Sequence, residues 1–324
     1  MPIYNWDTDK VTIVDKLRSN ASVLKLCVKV LDEPLLMESW IQHHARIVGL
    51  ENLVIADNGS TDPVMLSTYR KYCDLSTIFR FDAPHNQIHW HPRFREFFDV
   101  INETCRYFSF VDVDEKLVWI DERSWIADKS IVERMHGNPV DGIIPTTWLI
   151  NMQDSFDTFS LLDTHFSSTF TNNLKWGKPI LPAKLVGVQD GIHNAQFDRF
   201  TFSTTFGVNL FLLHFTQLPA RRISVNRNKL ISRSIVSKNE TSENIMAMDF
   251  AHHADKSALT LVNEMKRMAA ILTGNAGKYS ISSSHYVKLE NDGTIRYSED
   301  GTRQELASFL ASGDALIRDI FNRD

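Results

Sequence analysis

Three acids, Asp112, Asp114 and Glu115, follow directly on the apolar run Phe108-Ser109-Phe110-Val111. Carboxylates repel one another and resist burial unless positive charge sits between them. On an extended chain residues 112 and 114 point the same way, with side chains about 6–7 Å apart. That spacing suits a hard divalent cation that also takes phosphate oxygens. Two more polar clusters end apolar runs: Asp32-Glu33 after residues 23–30, and Asp57-Asn58-Gly59-Ser60-Thr61-Asp62 after residues 53–56. Arg93 and Arg95 stand just ahead of the segment leading to Asp112, within reach of an anion held there.

Such residues need a scaffold that brings separate segments to one edge. Residues 23–30 (VLKLCVKV) are apolar and rich in β-branched side chains, the pattern of a buried strand. Pro34 then suits the first turn of a helix that closes at Gly49. Strands at 53–56, 76–81 and 108–111 alternate with helical patterns at 64–72 and 95–107. This alternation predicts an α/β fold with a mainly parallel sheet flanked by helices. In such sheets ligands sit beyond the C-terminal ends of the strands, where all three polar clusters fall. Asp62 with Pro63 behind it is expected to cap the next helix. Later segments are less regular: strands are expected at 142–150 and within 200–215, a helix within 249–273, a hairpin around Asn291-Asp292-Gly293, and a terminal helix at 303–321.

The segments LCVKVLDEPLLMESWIQHHARIVGLENL, LVIADNGSTDP and FSFVDVDEKL resemble the nucleotide-sugar glycosyltransferases of the GT-A fold, near family 2 and related, family 92-like, enzymes. Where relatives often read Lys-Asn-Glu, this chain has Leu31-Asp32-Glu33, which shifts or replaces one nucleotide contact. The resemblance implies a GT-A domain over residues 1–230, with a helical and hairpin extension over 231–324. It implies that Asp57 contacts the base or ribose of a nucleoside diphosphate, with Asp32 and Glu33 beside it. It further implies that Asp112 and Asp114 hold Mn2+ or Mg2+ bridging the donor diphosphate. His214, in LFLLHFTQLPARR, matches the histidine that completes the metal site in several such enzymes, and Arg221 and Arg222 would neutralise diphosphate oxygens. A Lys-strand-His pattern of relatives points to Lys184 and His193. The catalytic base has no clean counterpart. Asp154, Asp157 and Asp190 are candidates, with Asp190 ahead because it adjoins His193, and inverting stereochemistry comes from the resemblance alone.

The implied partners are a nucleoside-diphosphate sugar, a UDP-sugar first, and a glycan or lipid acceptor. A nucleotidyltransferase is the rival enzyme class, but it would carry a Gly-rich phosphate loop after the first strand, and LDEPLL has no glycine. A non-catalytic sugar-nucleotide-binding module is the other rival. The formal charge of -5 leaves no global basic field for nucleic acid. The N-terminal residues lack the apolar core of a secretory signal, and the three cysteines are far apart in apolar settings. Both features fit a cytoplasmic protein with free thiols, with peripheral attachment to the inner membrane face compatible. His89-Trp90-His91, His43-His44 and His252-His253 lack the spacing of a zinc site, and Trp90 is the aromatic expected to stack on a sugar.

Overall fold

The computed structural model describes residues 3–120, 125–151, 159–160, 177–187, 192–197, 202–203, 209–216, 218–274, 286–289 and 295–298. The first half alternates strands and helices: β1 (Tyr4–Asn5), α1 (Lys10–Arg18), β2 (Ser22–Val30), α2 (Pro34–Val48), β3 (Leu53–Asp57), α3 (Pro63–Tyr72), β4 (Thr77–Arg80), α4 (Arg95–Thr104) and β5 (Cys105–Phe110). The second half carries β6 (Glu115–Ile120), β7 (Trp125–Ile126), α5 (Ser130–Gly137), β8 (Ile144–Pro145), β9 (Thr147–Asn151), β10 (Phe159–Ser160), β11 (Pro179–Pro182) and β12 (Leu210–His214). Then come α6 (Pro219–Ser232), α7 (Ser242–Ala247), α8 (Ser257–Leu272) and the hairpin β13 (Tyr286–Leu289) and β14 (Ile295–Ser298).

The main sheet runs β1-β4-β3-β2-β5-β11-β8. Its first five strands are mutually parallel, and β11 and β8 close the edge antiparallel. Both faces are covered. Leu26, Val28, Leu53 and Ile55 pack with Trp40 and Ile41 of α2, while Cys27, Val54, Phe108 and Phe110 pack with Phe97 and Ile101 of α4. Burial on two sides explains why these strands read as continuous apolar runs rather than alternating ones. The mainly parallel, helix-flanked sheet expected from the sequence is present.

A second sheet, β10-β9-β12-β6-β7, was not expected. It is antiparallel except where β9 lies parallel to β12. It joins the main sheet through the acidic turn between β5 and β6 and through Thr146 between β8 and β9. Two adjacent histidines tie this second sheet to α2. His43 Nε2 donates to the Leu117 carbonyl (2.8 Å), and the Leu117 N–H donates to His44 Nε2 (3.2 Å). His44 Nδ1 in turn faces the Trp40 carbonyl at 3.0 Å. Burial holds the His44 imidazole well below its ordinary range, so it stays neutral.

Helices α6, α7 and α8 share a separate apolar cluster of Leu230, Ile245, Phe250, Ala258, Val262 and Met265. The division expected after residue 230 falls inside α6, which spans Pro219–Ser232 and joins both parts. The hairpin expected at residues 286–298 is paired, Tyr286 opposite Ser298. The terminal helix expected at 303–321 lies outside the described residues. Among the described residues, no helix is long and apolar enough to cross a membrane. Cys27, Cys73 and Cys105 are free thiols.

Candidate functional site

Parallel pairing of β3, β2 and β5 carries Asp57, Asp32-Glu33 and the acidic triplet to one rim. The triplet is not extended, as its spacing suggested, but forms a turn. The Val111 N–H still donates to Cys27 O (2.8 Å), and the Glu115 N–H then closes back on Asp112 O (2.9 Å). Each acid therefore meets a different partner. Asp112 Oδ2 accepts from Lys178 Nζ at 2.7 Å. Asp114 Oδ2 accepts from Arg221 Nη1 at 2.8 Å, with His214 Nε2 3.7 Å away. Glu115, wholly buried, accepts the Asp112 N–H (2.7 Å) and the Trp148 indole N–H (2.7 Å), with Lys178 Nζ at 3.8 Å.

Sheet register explains how His214 arrives. It lies opposite Glu115 in the β12–β6 pair, and Phe215 N–H donates to Asp114 O at 2.8 Å. The Trp148 ring lies 4.7 Å from that of His214 and 5.6 Å from that of His193. Arg221 also reaches Glu33 with two bonds of 2.9 Å, so one guanidinium ties the β2–α2 turn to Asp114.

Burial opposes every charge in this group, and the pairings decide the outcome. For Asp112, burial raises the carboxyl but Lys178 outweighs it, leaving the group below the carboxylate range. Asp114 is likewise held well below that range, with Arg221 and His214 overcoming burial. Glu115 goes the other way: burial pushes it up to about 7 despite Lys178. Lys29, near Asp112, is brought down to about 8 by burial, with Lys178 adding to the effect. His193 falls to about 4 for the same two reasons.

Asp57, expected to contact a nucleotide from a turn at the rim, is wholly buried at the end of β3. Its oxygens take the Ser60 N–H (3.0 Å), the Tyr69 hydroxyl (3.0 Å) and Arg80 Nε (3.2 Å), so it builds the turn from within. Replacing it with alanine strands three donors, and Asp57→Ala is expected to cost about 1–3 kcal/mol of stability. Urea denaturation checks this, and an unchanged midpoint would contradict it. Asp32 clasps the same turn, accepting from the Thr61 and Asp62 N–H groups at 2.8 Å each. Asp62 caps α3 through Val64 and Met65, as expected.

Arg93 is taken up by Asp7 and the Asp82 carbonyl, away from the triplet. Lys184 is also elsewhere. Because β11 runs antiparallel to β5, Pro182 faces Tyr107, and Lys184 lies at the opposite end of the strands beside Arg106 and Asp141. The same reversal brings Lys178, just before β11, to the triplet. The Lys-strand-His pattern fits Lys178 as well as Lys184, and only strand polarity chooses between them. Trp90 remains 40% exposed, while His89 Nε2 turns to Lys29 (2.8 Å). Asp154, Asp157 and Asp190 lie outside the described residues.

A divalent ion at this turn would have the oxygens of Asp112 and Asp114, now bonded to Lys178 and Arg221, and the imidazole of His214, whose Nε2 faces Asp114, as its donors. Among the described residues, no three His, Cys, Asp or Glu side chains stand close enough to hold an ion by themselves. An ion bound here would have to complete its shell with ligand phosphate and water, the habit of Mg2+ in phosphate sites.

No family model matches the chain, and no curated protein matches it. Among solved structures it is similar to S. aureus TarS 1-349, with a TM-score of 0.34 and 11% identity over 79% of this chain and 74% of that one. It is similar to the same protein in complex with UDP-GlcNAc (TM-score 0.34, 12% identity, 77% and 73% covered). The complex with UDP gives a TM-score of 0.32 and 12% identity, covering 76% and 72%. At these TM-scores no residue correspondence carries across.

Proposed function

We propose that the chain is a glycosyltransferase that moves a sugar from a nucleoside-diphosphate sugar to a hydroxyl acceptor with the help of a divalent ion. The observation that carries this reading is the turn Asp112–Glu115. It lies at the C-terminal end of a parallel strand, with Lys178 at 2.7 Å and Arg221 at 2.8 Å on its two aspartates. Anionic ligands of parallel sheets bind at that rim, and the paired cations suit a ligand that brings its own negative charge.

In this reading Asp112, Asp114 and His214 hold Mn2+ or Mg2+. When bound, the ion offsets the charge that grows on the leaving diphosphate as the glycosidic bond breaks. Arg221 keeps Asp114 ionised and oriented, and its bond to Glu33 fixes the turn after β2 against the site. Lys178 does the same for Asp112 and adds positive charge where the leaving group sits. A nucleotidyltransferase is less well supported. Its phosphate loop would occupy the β2–α2 turn, and here that turn presents Asp32 and Glu33, both committed to internal contacts.

Hydrolysis of a sugar-nucleotide panel tests the reading without knowledge of the acceptor. UDP-GlcNAc, the ligand of one TarS structure, is the first donor to assay. Release of nucleoside diphosphate with Mn2+ or Mg2+, and its loss in excess EDTA, is the expected result. Full activity in EDTA would remove the metal from the account.

A further inference from the structure

The aspartates of the turn already have cations, and one of these cations has no way out. Lys178 Nζ lies 2.7 Å from Asp112 Oδ2 and 3.8 Å from Glu115 Oε2, with its side chain 1% exposed. Thr146 fixes its backbone on both sides. The Lys178 carbonyl accepts from the Thr146 N–H (3.1 Å) and hydroxyl (2.6 Å), and the Lys178 N–H donates to the same hydroxyl oxygen (3.3 Å). A surface lysine swings its ammonium into water on a flexible stem when another cation takes its partner. Lys178 is enclosed and has no water to swing into. Asp112 is the opposite: its side chain is 40% exposed, so an ion reaches it from solvent.

An ion on Asp112 would share one carboxylate with that ammonium and lie about 4–5 Å from it. A dication and an ammonium at that separation repel strongly where water is largely excluded. The other carboxylates around the turn are already taken. Glu115 accepts the Asp112 and Trp148 N–H groups, one on each oxygen, and Glu33 accepts the Arg221 guanidinium on both of its oxygens. Asp114 is matched by the same guanidinium at 2.8 Å. An anion that arrives with the ion supplies the negative charge that a bare ion lacks.

We infer that Lys178 is a fixed internal counter-ion that keeps a bare divalent ion off Asp112, so that the turn takes the ion only together with an anionic ligand. This regulation rests on the glycosyltransferase reading for its purpose, but ion binding is measured apart from turnover. Mn2+ is titrated into the full chain with and without UDP, and the free ion is read by electron paramagnetic resonance. Wild type is expected to bind Mn2+ about tenfold or more tightly with UDP than alone, a coupling that UDP binding must show in return. Lys178→Gln should bind Mn2+ alone about tenfold more tightly than wild type, the scale of removing one neighbouring positive charge. Lys178→Met, which fills the same space without charge, should show the same gain, and adding Asp112→Asn to either variant should abolish it. A merely structural lysine would change ion binding in the other direction, since its loss would loosen the turn.

Wild type that binds Mn2+ alone as tightly as with UDP, or binds none in either case, would overturn the counter-ion role whether or not the variants fold. Folded variants that hold the bare ion no more tightly than wild type would overturn it too. Tighter binding of bare Mn2+ by Lys178→Gln in a protein that hydrolyses no sugar nucleotide would support the counter-ion and sink the glycosyltransferase reading. Ion-dependent hydrolysis without that tightening would do the reverse.

Discussion

Arg221→Met is expected to cost about 3–5 kcal/mol of stability near neutral pH, because it strands two buried carboxylates at once. The guanidinium is 6% exposed, and its partners Glu33 and Asp114 are 12% and 9% exposed. Without it their charges keep only weaker positive neighbours, His214 and Arg222 for Asp114 and Lys229 for Glu33, and burial raises both groups. A folded state that binds more protons than the unfolded one loses stability as pH rises. The deficit should therefore be larger at pH 8 than at pH 5. Arg221→Lys keeps the charge but loses the fork that spans Glu33 and Asp114, so it should recover part of the loss. Denaturant midpoints at the two pH values measure this. A deficit below about 1 kcal/mol at pH 8 would mean the guanidinium is not what holds the turn together.

Asp114→Asn is expected to separate chemistry from folding. Asparagine retains an oxygen for Arg221 but carries no charge, so the protein should still fold. Donor hydrolysis should fall about 100-fold or more, since losing one preorganised electrostatic group typically costs 10²–10³ in turnover. Single-turnover assays with the best donor of the panel give the number. Retention of more than about a tenth of the activity would place the chemistry away from this turn.

Much of the main sheet was legible because its strands are buried on both faces and its helices carry clear start signals. Pro34, and Asp62 followed by Pro63, mark α2 and α3 as the sequence suggested. The second sheet was not legible: β6 follows the acidic turn without a break, and β9 and β12 find it only through long-range pairing. The acidic cluster and the approach of His214 and Arg221 were readable as sequence features, since each ends an apolar run or follows one, but the turn that the acids form was not. What the sequence hid was polarity and depth. Lys178 and Lys184 flank the same short strand, and the antiparallel direction of β11 alone sends one to the turn and the other to the far end of the strands. Asp57 ends β3 at the head of a polar turn, and nothing local shows that Tyr69 from α3 and Arg80 from β4 close over it. Trp148 and Lys29 carry no local motif at all.

The measurement closest to the central claim is a calorimetric titration of the best sugar-nucleotide donor into the protein, with Mg2+ or Mn2+ present and then in EDTA, repeated with Asp112→Asn. One site per chain is expected, tighter with the ion than without it, with an ion-dependent gain that disappears in Asp112→Asn. A donor that does not bind, or a gain from the ion that survives loss of the Asp112 charge, would contradict it.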